Sequence, residues 1–148
     1  MTRYEKPVIY ITPDEVDPLV VDRLGFHYRD RGLMLSALAA PMPVFGVDVH
    51  SGIWAKAAAL LTALARNHPL MDGNKRTAWV ITIAFLRLNG WDVEMDEDDA
   101  VAFVVRVASD GAMEPYEIAD ALQAACPDWW AEDSAIDPES SAPGVPRS

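Results

Sequence analysis

The residues best suited to chemistry lie in one short stretch, His68-Pro69-Leu70-Met71-Asp72-Gly73-Asn74-Lys75-Arg76. A histidine takes and returns a proton near neutral pH. Asp72 offers carboxylate oxygens of the kind a hard cation such as Mg2+ prefers. Gly73 permits a tight backbone path, and a helix starting there leaves the N–H groups of residues 73 to 76 unpaired and able to hold an anion. Lys75 and Arg76 fall in that first turn, where a cation opposes the helix dipole at a cost of roughly 0.3–1 kcal/mol per charge. A bound phosphate would offset that cost. A base, a carboxylate, a phosphate nest and two cations are the parts needed for phosphoryl or nucleotidyl transfer, in which positioning and charge neutralisation do most of the work. A solitary histidine near a helix end is ordinary surface chemistry, and His27 and His50, which lack such company, read as structural.

These residues occupy the turn between the two strongest helical patterns. From Ser51 to about Asn67, Ile53, Trp54, Ala57, Ala58, Leu60, Leu61, Leu64 and Ala65 recur at helical spacing. The next helix, about 74–89, is apolar almost all the way round and ends before Gly90, so it belongs at the centre of a helical bundle. Upstream, Val8–Ile11 is a β-prone run, and Thr12-Pro13-Asp14-Glu15 carries a capping box that opens a helix made short or irregular by Pro18 and Gly25. A further helix around Leu33–Ala40 stops at Pro41 and Pro43. Pro41 to His50, with Phe45-Gly46, reads as an ordered loop and a candidate flap facing the substrate. Trp91–Met95 alternates with period two and is expected to pair with Val8–Ile11 as a minor β-hairpin or sheet. Helices follow at about 98–108 and 115–125. The expected architecture is all-α, with one domain over 1–130 and an acidic, Ser/Pro-rich tail over 131–148 expected to be disordered.

With 148 residues, 51% of them hydrophobic, the chain can build one core. Twelve basic residues against twenty-three acidic ones give a net charge of −11, which opposes binding to a polyphosphate backbone, so no direct nucleic-acid partner is expected. No apolar run is long enough to span a bilayer and no signal-like segment opens the sequence, so no membrane association and a cytoplasmic location are expected. Cys126 is the only cysteine, so the sequence supplies neither an internal disulfide nor a CxxC site. The acidic alternation Asp92, Glu94, Asp96, Asp98 lacks the glycine and distal glutamate of an EF-hand loop and reads as a solvated edge.

The run from His68 to Ala78 resembles the active-site motif of the Doc branch of the Fic family, toxins of Phd–Doc-type toxin–antitoxin pairs. Tyr10–Val16, Arg29-Asp30-Arg31-Gly32-Leu33 with Ser36-Ala37-Leu38, Phe45-Gly46 and Phe85–Gly90 resemble other segments of that family, so the likeness covers roughly residues 8 to 125. The resemblance implies a compact Fic-fold bundle and a transferase using ATP and Mg2+. It implies His68 as general base, Asp72 as the Mg2+ ligand, Gly73 and Asn74 lining the phosphate nest, and Lys75 and Arg76 at the phosphates. Lys75 stands where AMP-transferring members have a second glycine, and Trp79 where they carry an arginine. Both resemble Doc, which implies transfer of the γ-phosphate to a threonine of elongation factor Tu, with AMP transfer to a protein hydroxyl as the alternative. A non-catalytic nucleotide-binding or interaction module is an alternative of another class. The chain contains no inhibitory Ser/Thr-x-x-x-Glu-Gly/Asn pattern, so the resemblance implies restraint in trans by a cognate antitoxin, with the apolar residues around Pro41–Phe45 as its landing surface.

Overall fold

The computed structural model describes residues 7–109 and 111–127; the tail expected over 131–148 lies outside the described residues. The first helix, α1 (Pro13–Asp17), begins where the capping box places it: Thr12 Oγ1 accepts from the Glu15 N–H at 3.3 Å, and Glu15 Oε1 accepts from the Thr12 N–H at 3.0 Å. Pro18 has no N–H to continue the i−4 ladder, and the chain goes on as a π-helical segment, Pro18–Arg23. The irregularity expected from Pro18 therefore takes the form of a wider turn.

Asp30 caps α2 (Arg31–Ala39), which ends ahead of Pro41 and Pro43. The two long helices are α3 (Ile53–Asn67) and α4 (Asn74–Leu88), followed by α5 (Glu97–Ala108) and α6 (Pro115–Ala124). α3 packs against α2, α4, α5 and α6, and α4 against α3 and α5. The two long helices thus share the centre, and the turn joining them is held from both sides. Leu60, Leu61, Leu64, Ile81, Phe85 and Leu86 are buried at their contact and in the surrounding core. Full burial of a side chain of this kind contributes about 1.5–3 kcal/mol. Not all of the apolar surface of α4 is covered. Trp79, Val80, Ala84 and Leu88 line an open groove of about 580 Å³ against Ile11 and Leu19.

α4 closes with Asn89 and the left-handed Gly90 (φ 88°): the Gly90 N–H donates to the Arg87 carbonyl and the Trp91 N–H to the Leu86 carbonyl. This double bond pattern satisfies two of the last carbonyls and needs a residue tolerant of positive φ.

The expected pairing of Val8–Ile11 with Trp91–Met95 does not form. β pairing among the described residues is limited to the isolated bridges Tyr28 with Leu70 and Val44 with Val47. The reason is Asn89, whose side-chain amide does for Ile9 what a neighbouring strand would do. Its Oδ1 accepts from the Ile9 N–H at 2.8 Å and its Nδ2 donates to the Ile9 carbonyl at 2.9 Å. Glu94, in the other expected strand, donates its N–H to the Ala125 carbonyl at the end of α6 instead. Among the described residues no helix is long and apolar enough to cross a membrane.

Candidate active site

α3 must stop at Asn67, because Pro69 disfavours the right-handed α region at the residue before it. His68 takes a left-handed conformation instead (φ 51°, ψ 58°), which costs an ordinary L-residue on the order of 1–2 kcal/mol. Arg29 offsets that strain. Its Nε donates to the His68 carbonyl at 2.9 Å and its Nη2 to the Asn67 carbonyl at 3.1 Å, satisfying the end of α3. The Arg29 and Asp30 N–H groups both donate to the Pro69 carbonyl, and the Met71 N–H donates to the His27 carbonyl. Residues 27–30 therefore run as a rail along the turn, and the His68 side chain is left exposed.

The far side of the turn is closed by Asn74. Its Oδ1 accepts from the Leu70 N–H at 2.8 Å and its Nδ2 donates to the Leu70 carbonyl at 3.0 Å, while the Leu70 side chain is buried in the core. Gly73 caps α4 at φ 78°, and a Cβ there would lie 2.3 Å from Phe26 Cζ, so the ring and the positive φ both require glycine.

Asp72 is exposed and its Oδ1 accepts from the Gly73 N–H at 2.8 Å. Its second carboxylate oxygen has no partner among the described residues, which suits a Mg2+ ion that takes one protein carboxylate and completes its shell with phosphate oxygens and water. The first turn of α4 has no side-chain cap, and the N–H groups of Asn74, Lys75 and Arg76 find no acceptor among the described residues. Lys75 and Arg76 are exposed and make no ion pair among the described residues. Both line a cavity of about 540 Å³ together with Trp79, Val80, Met95 and Glu97.

All the residues singled out in the sequence thus meet at one turn: His68 on one shoulder, Asp72 at the tip, and Gly73, Asn74, Lys75 and Arg76 at the start of α4. Gly73 differs in one respect from its expected part: its N–H donates to Asp72 Oδ1, which leaves the N–H groups of residues 74 to 76 for an anion. The Asn74 side chain is occupied by Leu70, so Asn74 offers an anion its backbone N–H, as expected. Arg29 and Phe26 escaped the sequence reading as site residues. Arg29 meets His68 across thirty-nine positions, and no local pattern marks such a pair.

The candidate flap is also present. Val44 and Val47 exchange both backbone hydrogen bonds, at 2.9 and 3.0 Å, around Phe45 (φ 50°) and Gly46 (φ 76°). Positive φ at both central residues makes this a type I′ hairpin turn. Phe45 is fully exposed, and His68 and Phe45 are the non-glycine residues with positive φ among those described. Ala40 and His50, at the base of this loop, line a cavity of about 570 Å³ that runs along α3 from Ala55 to Asn67.

The Fic/DOC family model matches residues 15–86, a span running from α1 through the turn and most of α4. The curated protein Toxin Doc of Mycolicibacterium smegmatis (strain ATCC 700084 / mc(2)155) is 47% identical over 90 residues, covering 57% of this chain and 69% of that protein. With this turn, its supporting rail and these matches together, the chain belongs to the Fic/Doc family.

Proposed function

We propose that the chain is a Doc-type toxin that transfers the γ-phosphoryl group of ATP to a hydroxyl of a target protein, elongation factor Tu by resemblance. The observation that carries this reading is the meeting, across one tight turn, of an exposed His68 with an uncapped helix start bearing Lys75 and Arg76. In the proposed step the acceptor oxygen bonds to the γ-phosphorus and its proton passes to the His68 imidazole. The bond from the γ-phosphorus to the bridging oxygen breaks, and ADP leaves. The N–H groups of residues 74–76, Lys75 and Arg76 hold the phosphate oxygens where negative charge accumulates. Asp72 and the phosphates would hold Mg2+, which when bound neutralises phosphate charge. The cavity beside Trp79 and Met95 offers an apolar seat next to those cations for the nucleoside. The 47% identity to Toxin Doc supports the same reading.

The flap supplies a surface for the protein acceptor, with Val44, Phe45, Val47 and Val49 exposed around the turn. A cognate antitoxin that lands on the same residues would exclude the target and silence the enzyme, which in this reading acts in the cytoplasm.

The test is incubation of the purified chain with Mg2+, a cytosolic extract and either γ- or α-labelled ATP, beside His68→Ala. Transfer of the γ label, abolished in His68→Ala, is the expected result. Transfer of the α label would assign AMP transfer instead. Nucleotide binding with neither label transferred would reduce the chain to a binding module.

A further inference from the structure

The flap is a small structure that does not hold itself. Two backbone hydrogen bonds join Val44 and Val47, Phe45 lies at an unfavourable positive φ, and its ring touches solvent on all sides. A two-stranded hairpin of this kind is marginal in water without an anchor. The anchor comes from an unexpected place. Lys56, in the first turn of α3, is only 2% exposed, in a bundle where every other strongly buried side chain among the described residues except Thr77 and Thr82 is apolar. Its Nζ donates to the His50 carbonyl at 2.7 Å and lies 3.0 Å from Asp48 Oδ1. Asp48 and His50 form the stem that returns from the hairpin to α3. Among the described residues, the hydrogen bonds and ion pairs that tie residues 44–51 to the body of the protein all end on this ammonium.

A lysine is a poor choice for core packing. Burying an ammonium carries a large desolvation penalty that a methionine of similar length would avoid. The charge has a use only if the stem must be held in one place. We infer that Lys56 is a positioning residue that acts through Asp48 and the His50 carbonyl to fix the stem of the flap against the first turn of α3. Its anchoring role stands on the geometry alone. Its effect on turnover rests on the reading under Proposed function, in which the flap receives the protein acceptor.

The experiment is hydrogen exchange of the Val44 and Val47 amides in the full chain, for wild type, Lys56→Met and Asp48→Asn, with thermal unfolding as the check on folding. Lys56→Met is expected to keep a cooperative unfolding transition while the two amides lose about tenfold or more of their protection. Asp48→Asn changes an exposed partner (55% exposed side chain) and is expected to loosen the same amides to a smaller degree. If Lys56→Met fails to fold, Asp48→Asn decides. Unchanged protection in a folded variant would overturn the inference. In the transfer assay, Lys56→Met should raise KM for the protein acceptor with kcat at saturating acceptor retained. A matched loss of kcat with KM unchanged would contradict the assigned role. Should the wild type transfer nothing, the functional reading falls and the exchange result still decides whether Lys56 holds the flap.

Discussion

At the scale of single residues, the site is built around two backbone conformations that most side chains avoid. Gly73 is one of them. Gly73→Ala meets both a positive φ, unfavourable by about 1–2 kcal/mol, and the ring of Phe26. It is expected to lower the unfolding midpoint and to displace the start of α4, which differential scanning calorimetry and nucleotide titration would register together. An Ala variant as stable as wild type would show that Phe26 and the turn yield easily. His68 is the other conformation, and Arg29 is its support. Arg29→Met removes two hydrogen bonds at the end of α3, worth about 0.5–1.5 kcal/mol each, and leaves every group proposed to touch substrate in place. The expected outcome is a fall in kcat of roughly a hundredfold, the scale set by ångström misplacement of a reacting group. Nucleotide affinity should be unchanged. Equal loss in affinity and kcat would place Arg29 at the nucleotide instead of behind His68.

At the scale of elements, the rail that supports the turn is itself tied to α1. Asp17 Oδ1 accepts from the Tyr28 hydroxyl at 2.6 Å, and Arg31 lies 2.7 Å from Asp17 Oδ2. The Arg31 hydrogen bonds, and then that of Tyr28, hold the Asp17 carboxyl below its usual range. A depressed carboxylate pKa contributes stability that is present above the unfolded value, about 3.9, and is lost as pH falls through the folded value. Burial, and then the bond to Asp17, raises the Tyr28 hydroxyl, so its contribution is present below about pH 10 and fades as pH rises beyond it. Asp17→Asn is therefore expected to be less stable than wild type at neutral pH, with the gap narrowing in acid below about pH 4, as unfolding midpoints across pH would show. A constant gap would mean that the network stabilises through packing alone.

How far these elements could be read from the sequence follows the distance between partners. The Thr12 cap, α3, α4 and the Gly90 stop rest on residues a few positions apart, and each forms as its local pattern predicts. The pairing of Val8–Ile11 with Trp91–Met95 failed because the Ile9 backbone meets Asn89 at a separation of eighty residues, and a side-chain amide leaves no periodic trace. The residues of the candidate site were legible as a group because they crowd into one turn. The machinery behind them was not, since Arg29, Phe26 and Lys56 acquire their parts only when the bundle brings distant segments together.

At the scale of the whole molecule, α3 carries three features with one body. Its C-terminal end presents His68, its first turn holds the flap through Lys56, and it packs against four other helices. The net charge of −11 adds a contrast, because Lys75 and Arg76 stand as local cations on an acidic chain, which in the proposed reading suits a small phosphate ligand. The proposed phosphoryl transfer is tested most directly by mass spectrometry of purified elongation factor Tu after incubation with the chain, ATP and Mg2+. One added phosphoryl group on a threonine is expected, absent when His68→Ala replaces the wild type. An acceptor left unmodified by the folded wild-type chain, or modified equally by His68→Ala, would contradict the proposal.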